Sequence, residues 1–347
     1  MPKISYIIPV YNAEQWLPRV AQCLKNQTDP DFEAILVNDG STDNSGHFCA
    51  ELAAEDQRFF YFEQPNCGVA AARNTALDAA AGQYICFLDA DDFLEPDATC
   101  LLYHTAAISG ADVVLFELYL DHCNASGQLL HREIAPLPMQ PGVYRGNPFK
   151  THFEALGSLF LVAGKLIRRQ FLQQNGLRFA RKQLGEDGLF YVELYRHEPH
   201  CLILLDRPLY HYTLGTSHSL SSSYHPERLQ DNFYLSDAVW DVLAQWHLQV
   251  SPPHLRKACC CTVRDLMLGI KNLSLSPLSF RQRCRWLRAA MQRPRTRQAV
   301  HQTRLDQLSS TNDRIKLLLL KLHGYSLVLL LSQANRSLTA WRYHGHS

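Results

Sequence analysis

The sequence predicts an α/β fold, a mostly parallel sheet with helices on both faces, followed by a helical C-terminal section. Two observations carry that reading. Up to Leu88, short apolar runs alternate with stretches whose apolar residues recur at helical spacing, as strand–helix–strand units require. Beyond Pro226 the strand-like runs stop and helical spacing alone remains. The 347 residues, 46% of them hydrophobic, suffice for one large α/β domain, residues 1–222, and a smaller helical one, residues 223–347.

Residues 4–9 form a continuous apolar run ending in proline, as expected of a strand buried on both faces. Trp16, Leu17, Val20, Cys23 and Leu24 then lay one apolar stripe along a helix over residues 13–26. The cycle repeats, with residues 32–37 as strand, 44–56 as helix and 59–62 as strand. An alanine-rich helix over 69–81 is stopped by Gly82, and residues 84–88 return to the sheet. A helix follows Pro96 to about Ile108, then a strand over 113–116 and turn-rich sequence to Pro148. Residues 149–171 and 185–195 read as helices, and 201–206 and 209–212 as strands.

Reactive side chains gather where these strands end, the edge at which open α/β sheets bind ligands. After the first strand come Pro9, Val10, Tyr11 and Asn12, and a base could stack on Tyr11. Asp39 ends the second strand and can accept from an imide N–H or a ribose hydroxyl, or else serve as a turn or capping aspartate. Gly40 permits the turn, and Ser41 or Thr42 can cap the next helix. Asp89, Ala90, Asp91 and Asp92 follow the fourth strand, and carboxylates so close repel unless a cation or a positive side chain lies between them. A divalent ion that takes one or two carboxylates and completes its shell with phosphate oxygens fits this position.

Five motifs occur together in order: Ile8-Pro9-Val10-Tyr11-Asn12, Val37-Asn38-Asp39-Gly40-Ser41-Thr42-Asp43, Asn66-Cys67-Gly68 leading to Ala72-Arg73-Asn74, Phe87-Leu88-Asp89-Ala90-Asp91-Asp92, and Gly185-Glu186-Asp187. In this set the chain resembles the family 2 glycosyltransferases over roughly residues 4–221. The resemblance implies a Rossmann-like GT-A fold and an inverting, metal-dependent transfer from a nucleotide-diphosphate sugar. By it, Pro9, Tyr11 and Asp39 hold uracil or an equivalent base, Glu14 sits close by, and Arg73 approaches the nucleotide or diphosphate. Asp91 ligates Mn²⁺ or Mg²⁺, Asp89 meets ribose or sugar hydroxyls, and Asp92 is structural. Asp187 is favoured as the base, with Glu186 as its partner, although first-turn acids also complement a helix dipole. Lys165 in Gly164-Lys165-Leu166 is expected to face the site. Relatives often carry arginine where this chain has Thr213, so His218 is the expected substitute near the diphosphate. Relatives often carry glycine at Ala76, a difference of packing rather than chemistry.

The expected partners are a UDP-sugar donor and a glycan or lipid-linked glycan acceptor, as in surface polysaccharide assembly, with no nucleic acid. A noncatalytic nucleotide-sugar-binding scaffold subunit is the competing reading. A nicotinamide-dependent oxidoreductase is disfavoured because no GxGxxG turn follows the first strand. The net charge of +1 hides an uneven distribution, since Arg281, Arg283, Arg285, Arg288, Arg293, Arg295, Arg297 and Arg304 come with no acid between them. Leucine runs over 315–331 follow, interrupted by Lys316, Lys321 and His323, a pattern that suits either an anionic membrane surface or a bundle with a basic face. The eleven cysteines contain no CxxC pair, and Cys259-Cys260-Cys261 cannot offer three ligands from one helical turn. Buried thiols in a reducing cytosol are expected, and Met-Pro-Lys runs into the first strand without an export signal, so the expected location is the cytoplasm or the cytoplasmic face of the inner membrane.

Overall fold

A computed structural model describes residues 1–124, 126–156, 161–180, 185–215, 224–230 and 232–344. The chain divides into two compact units, Met1–Ser219 and Leu220–Ser347.

The first unit alternates as its hydrophobic pattern requires: β1 (Ile4–Val10), α1 (Leu17–Lys25), β2 (Phe32–Asp39), α2 (Ser45–Glu55), β3 (Phe59–Gln64), α3 (Val69–Ala79) and β4 (Tyr84–Phe87). It continues through β5 (Phe93–Leu94), α4 (Ala98–Ser109), β6 (Val113–Cys123), β7 (Leu129–Ala135), β8 (Gly142–Arg145), α5 (Pro148–Thr151) and α6 (Phe153–Leu156). It closes with β9 (Lys165–Arg168), α7 (Arg169–Gln174), α8 (Glu186–Arg196) and β10 (Cys201–Leu214). The sheet order is β3-β2-β1-β4-β9-β6-β10-β5, with β7 on β6 and β8 on β10. Pairing is parallel across β3, β2, β1 and β4 and between β6 and β10, and antiparallel on both sides of β9.

The strands β1, β2 and β4 are mainly apolar and lie almost entirely in the core. Carboxylates are buried in β2 at both ends, Glu33 near its start and Asp39 at its close. Glu33 accepts from Ser5 Oγ, Ala81 N and Gly82 N at 2.5, 2.6 and 3.0 Å, tying β1, β2 and the turn into β4 together. Gly82 has no room for a side chain, since a Cβ would lie 2.6 Å from Ser5 N.

Three expectations need correction. Residues 149–171 are not one helix: two short helices precede β9, which occupies the middle of the sheet. The four-residue run Lys165–Arg168 is too short to show a period, and its partners β4 and β6 are distant in sequence. The turn-rich stretch after residue 116 contains the β6–β7 pair and β8. Residues 201–206 and 209–212 belong to one strand, β10, whose register on β6 shifts at Leu205, Pro208 and Tyr210.

The second unit is helical, with α9 (Pro226–Gln230), α10 (Tyr234–Gln245), α11 (Pro252–Leu275), α12 (Phe280–Gln292), α13 (Pro294–Gln302), α14 (Thr311–Lys321) and α15 (Tyr325–His344). Cys259 and Cys261 fill its core from α11. Part of the basic run is neutralised, since Arg293 and Arg295 pair with Asp237 and Arg295 also reaches Asp241 at 2.7 Å. No helix among the described residues is long and apolar enough to cross a membrane.

Candidate active site

The carboxyl ends of β1, β2 and β4 bring three loops to one edge of the sheet. The loops after β1 and β2 are laced together by short polar side chains. Asn12 N donates to Ser41 Oγ at 3.0 Å, and Thr42 N returns a bond to Asn12 Oδ1 at 2.8 Å. Ala13 N donates to Ser45 Oγ at 2.8 Å, Glu14 N to Asp43 Oδ2 at 3.2 Å, and Asn44 N to Glu14 Oε2 at 2.9 Å. Glu14 and Asp43 therefore satisfy backbone donors at the start of α2, the task expected of Ser41 or Thr42. Pro9 is half-buried in β1 opposite Val37, and Tyr11 beyond it is 52% exposed.

Asp39, 4% exposed, accepts from Gln64 Nε2 at 2.7 Å, Cys67 N at 2.9 Å and Gly68 N at 2.8 Å. Its carboxylate thus shapes the loop that enters α3. Gly40 is required beneath that loop: its φ is +71°, and a Cβ there would lie 2.8 Å from Asn66 N.

The helix so aimed carries Arg73, 3% exposed, into the middle of the acidic residues. Its Nη1 donates to Glu186 Oε1 at 3.1 Å and to Asp187 Oδ1 at 2.5 Å, while Nη2 donates to Asp89 Oδ1 at 3.0 Å. The positive group between the carboxylates is therefore an arginine of the chain. The three acids together drive its pKa up against the penalty of burial. Glu186 is raised to about 7 by burial and by Asp187, against the pull of Arg73.

The next residue, Asn74, exchanges two bonds with the Phe179 backbone, each 2.9 Å long. Phe179 stacks on Phe190 of α8 at 4.2 Å and meets Phe87 of β4 edge-on at 5.2 Å. Adjacent positions of α3 thus seat the segment before α8 and two acids of its first turn.

Lys165 enters the same edge from β9, buried, with Nζ bound to the Leu161 and Ala163 carbonyls and 4.3 Å from the Tyr191 ring centroid. Burial lowers its pKa to about 7, with Asp187 opposing. The turn after β4 is held from β10. Asp92, 1% exposed, accepts from Tyr210 Oη at 2.6 Å and Thr213 N at 2.7 Å, and burial with Asp89 and Asp91 nearby raises its pKa. Thr213 Oγ1 donates to the Asp91 carbonyl at 2.8 Å, and Asp89 N to Tyr210 Oη at 3.2 Å. Ala90 is buried within the turn, and Asp91 beside it is half-buried.

The structure thus brings Arg73, Asp89, Glu186 and Asp187 into contact and sets Lys165 against α8. Glu14 and Asp39 have structural partners, and His218 lies outside the described residues. Asn74 and Gln64 were not singled out by the sequence. Only Asn74, which follows Arg73 in its motif, carried a signal for it.

A mostly parallel sheet that converges acids on its carboxyl edge, followed by a helical section, defines the GT-A class of α/β folds. Residues 5–172 match the sequence model of glycosyl transferase family 2, so this segment of the chain is a domain of that family. It is 35% identical over 217 residues to the glycosyltransferase GlyA of Streptococcus pneumoniae, covering 61% of this chain and 30% of GlyA. It is 42% identical over 98 residues to the chondroitin synthase of Pasteurella multocida, covering 28% of this chain and 10% of that protein. The chain therefore spans under a third of the length of either relative. Its fold is similar to that of S. aureus TarS 1-349 solved in complex with UDP, with TM-score 0.66 at 18% identity, covering 96% of this chain and 91% of that one.

Proposed function

We propose that the chain transfers a sugar, with inversion, from a UDP-sugar to a hydroxyl of a glycan or lipid-linked glycan during surface polysaccharide assembly. The observation that carries the proposal is the convergence of Asp89, Glu186 and Asp187 on Arg73 beside the Asp91 turn. Supporting it are the chondroitin synthase relative and the similarity in fold to a protein solved with UDP.

In this reading Pro9 and Tyr11 border the base, and Asp39 shares a remaining lone pair with it or with a ribose hydroxyl. Asp89 meets ribose or sugar hydroxyls with the oxygen not committed to Arg73. Asp187 takes the proton of the acceptor hydroxyl, whose oxygen attacks the anomeric carbon as the bond to the diphosphate breaks on the opposite face. Glu186 shares a hydrogen bond with Asp187 and holds it in place. Arg73 keeps the donor-side and acceptor-side carboxylates at fixed separation, so nucleophile and leaving group remain in line.

Mn²⁺ or Mg²⁺ is part of the proposal, and the residues fit it. No group of three metal-ligating side chains occurs among the described residues, but an ion that shares its shell with water and a diphosphate needs only one or two carboxylates. Asp91 would hold it, and bound there it offsets charge on the leaving diphosphate. A peripheral position on the cytoplasmic face of an anionic membrane fits a lipid-linked acceptor. Arg281, Arg285, Arg288 and Arg297 are exposed and outside the ion pairs described for Arg293 and Arg295.

The test is a screen of UDP- and GDP-sugars for nucleotide release by the full chain, with and without manganese. The expected result is UDP release that needs the ion and is abolished by Asp91→Ala. Full activity in excess chelator removes the ion from the mechanism. UDP binding without release from any donor, with acceptors supplied, favours a nucleotide-sugar-binding subunit.

A further inference from the structure

The turn that carries Asp91 runs directly into β5, which has only two residues, Phe93 and Leu94. Their partners on β10 are His211 and Tyr210. Two rungs of ladder give such a strand little hold of its own, well short of the ~5–6 residues typical of strands. Side chains supply the rest.

His211 is 2% exposed and lies between two aromatic rings. Phe93 stacks on it at 3.9 Å and 10°, and Tyr119 of β6 stacks on it at 4.6 Å and 27°. Each outer ring carries a guanidinium, Arg19 at 3.6 Å from the Phe93 centroid and Arg132 at 4.9 Å from that of Tyr119. The imidazole edge is clamped as well. Nε2 lies 2.9 Å from Glu95 Oε1, just beyond β5, and Nδ1 lies 3.0 Å from Asp121 Oδ2 on β6. Asp121 is itself 1% exposed and receives Arg132 through two bonds of 2.5 and 2.9 Å. Both ring nitrogens thus lie within hydrogen-bond distance of a carboxylate oxygen. A group so buried and so fully bonded has one orientation.

We propose that His211 is a positioning residue for the diphosphate end of the site. By clamping Phe93 and Glu95 to β10 and β6, it fixes the exit of the Asp89–Asp92 turn, whose entrance is fixed by β4. The Asp91 carboxylate is thereby held where an ion can bridge it to a diphosphate. Tyr210 and Thr213 grip the turn itself, and His211 grips the strand that leaves it. The inference rests on the proposed role of Asp91.

Calorimetric titration of UDP into the full chain, with and without manganese, tests it. His211→Phe keeps a ring for the stack and removes both hydrogen bonds. Its UDP affinity is expected to match the unmodified chain without the ion and to fall by about tenfold with it, the scale of a lost contact behind a metal ligand. A general loss of structure lowers both affinities and overturns the inference, as does an unchanged affinity with manganese. If His211→Phe does not fold, Glu95→Gln is measured by the same criterion, with a smaller ion-dependent loss expected. If manganese leaves UDP affinity of the unmodified chain unchanged, the metal role of Asp91 fails. The clamp is then judged by turnover: a lowered kcat with unchanged KM in His211→Phe, restored in part by His211→Gln, supports it, and an unaltered kcat overturns it.

Discussion

Arg73 Nη1 donates to Asp187 Oδ1 across 2.5 Å, joining residues 114 positions apart on α3 and α8. The same guanidinium holds Asp89, so one buried side chain sets the distance between two acids assigned to donor and acceptor.

Removing that cation leaves three partly buried carboxylates facing one another. Arg73→Ala is expected to cost about 3–5 kcal/mol in urea unfolding, the loss typical when one partner of a buried ionic cluster is deleted. Arg73→Lys keeps the charge without the fork. It should retain the fold and lose roughly 100-fold in turnover, because two carboxylates are no longer held at once.

Asp187→Asn separates catalysis from binding. Turnover should fall by about 10²–10⁴-fold, the range for loss of a general base, while calorimetric UDP affinity is kept. A variant that turns over normally removes Asp187 from the chemistry.

Glu186 makes the site sensitive to pH. Its pKa in the folded chain, raised to about 7 from the ordinary 4.5, exceeds that in the unfolded chain. Across this interval the folded chain holds a proton that the unfolded chain has released, so the contribution of Glu186 to stability falls as pH rises. Glu186→Gln should flatten that decline in melting temperature between about pH 5 and pH 7.

Lys165 acts in the opposite sense above neutrality. Burial lowers its pKa to about 7 from 10.5, so in that interval the unfolded chain carries the extra proton and stability rises with pH. Lys165→Met should remove the rise, measured by urea unfolding at about pH 7.5 and pH 9.5.

Tyr210→Phe deletes the hydroxyl that donates to Asp92 and receives Asp89 N. A loss of about 1–3 kcal/mol is expected, the cost of leaving a buried polar group unpaired, together with a drop in turnover from a looser turn.

The parallel half of the fold was legible because β1, β2 and β4 are short, mainly apolar runs separated by helical stretches. The antiparallel half was not. β9 has four residues and β5 two, and both are strands because of their partners rather than their own pattern. The site divided in the same way. Asp89, Arg73 and Asp187 stand in ordered motifs, whereas the grip of Tyr210 and Thr213 on Asp92 depends on a register between segments 121 residues apart at its longest. The surplus of acid called for a cation or a positive side chain between the carboxylates, and that Arg73 is that group depends on contacts from α3 to α8 and to the turn after β4, which no motif displays.

The family match ends at residue 172, ahead of the acids that open α8. Two consecutive side chains of α3 make the connection, Asn74 to the Phe179 backbone and Arg73 to Glu186 and Asp187. α3 is in this sense a socket, met by the Phe179 backbone amide and carbonyl and by the two acids that open α8. Any change in that segment therefore has to preserve two separate fits to α3 at once, one made by backbone and one made by charge.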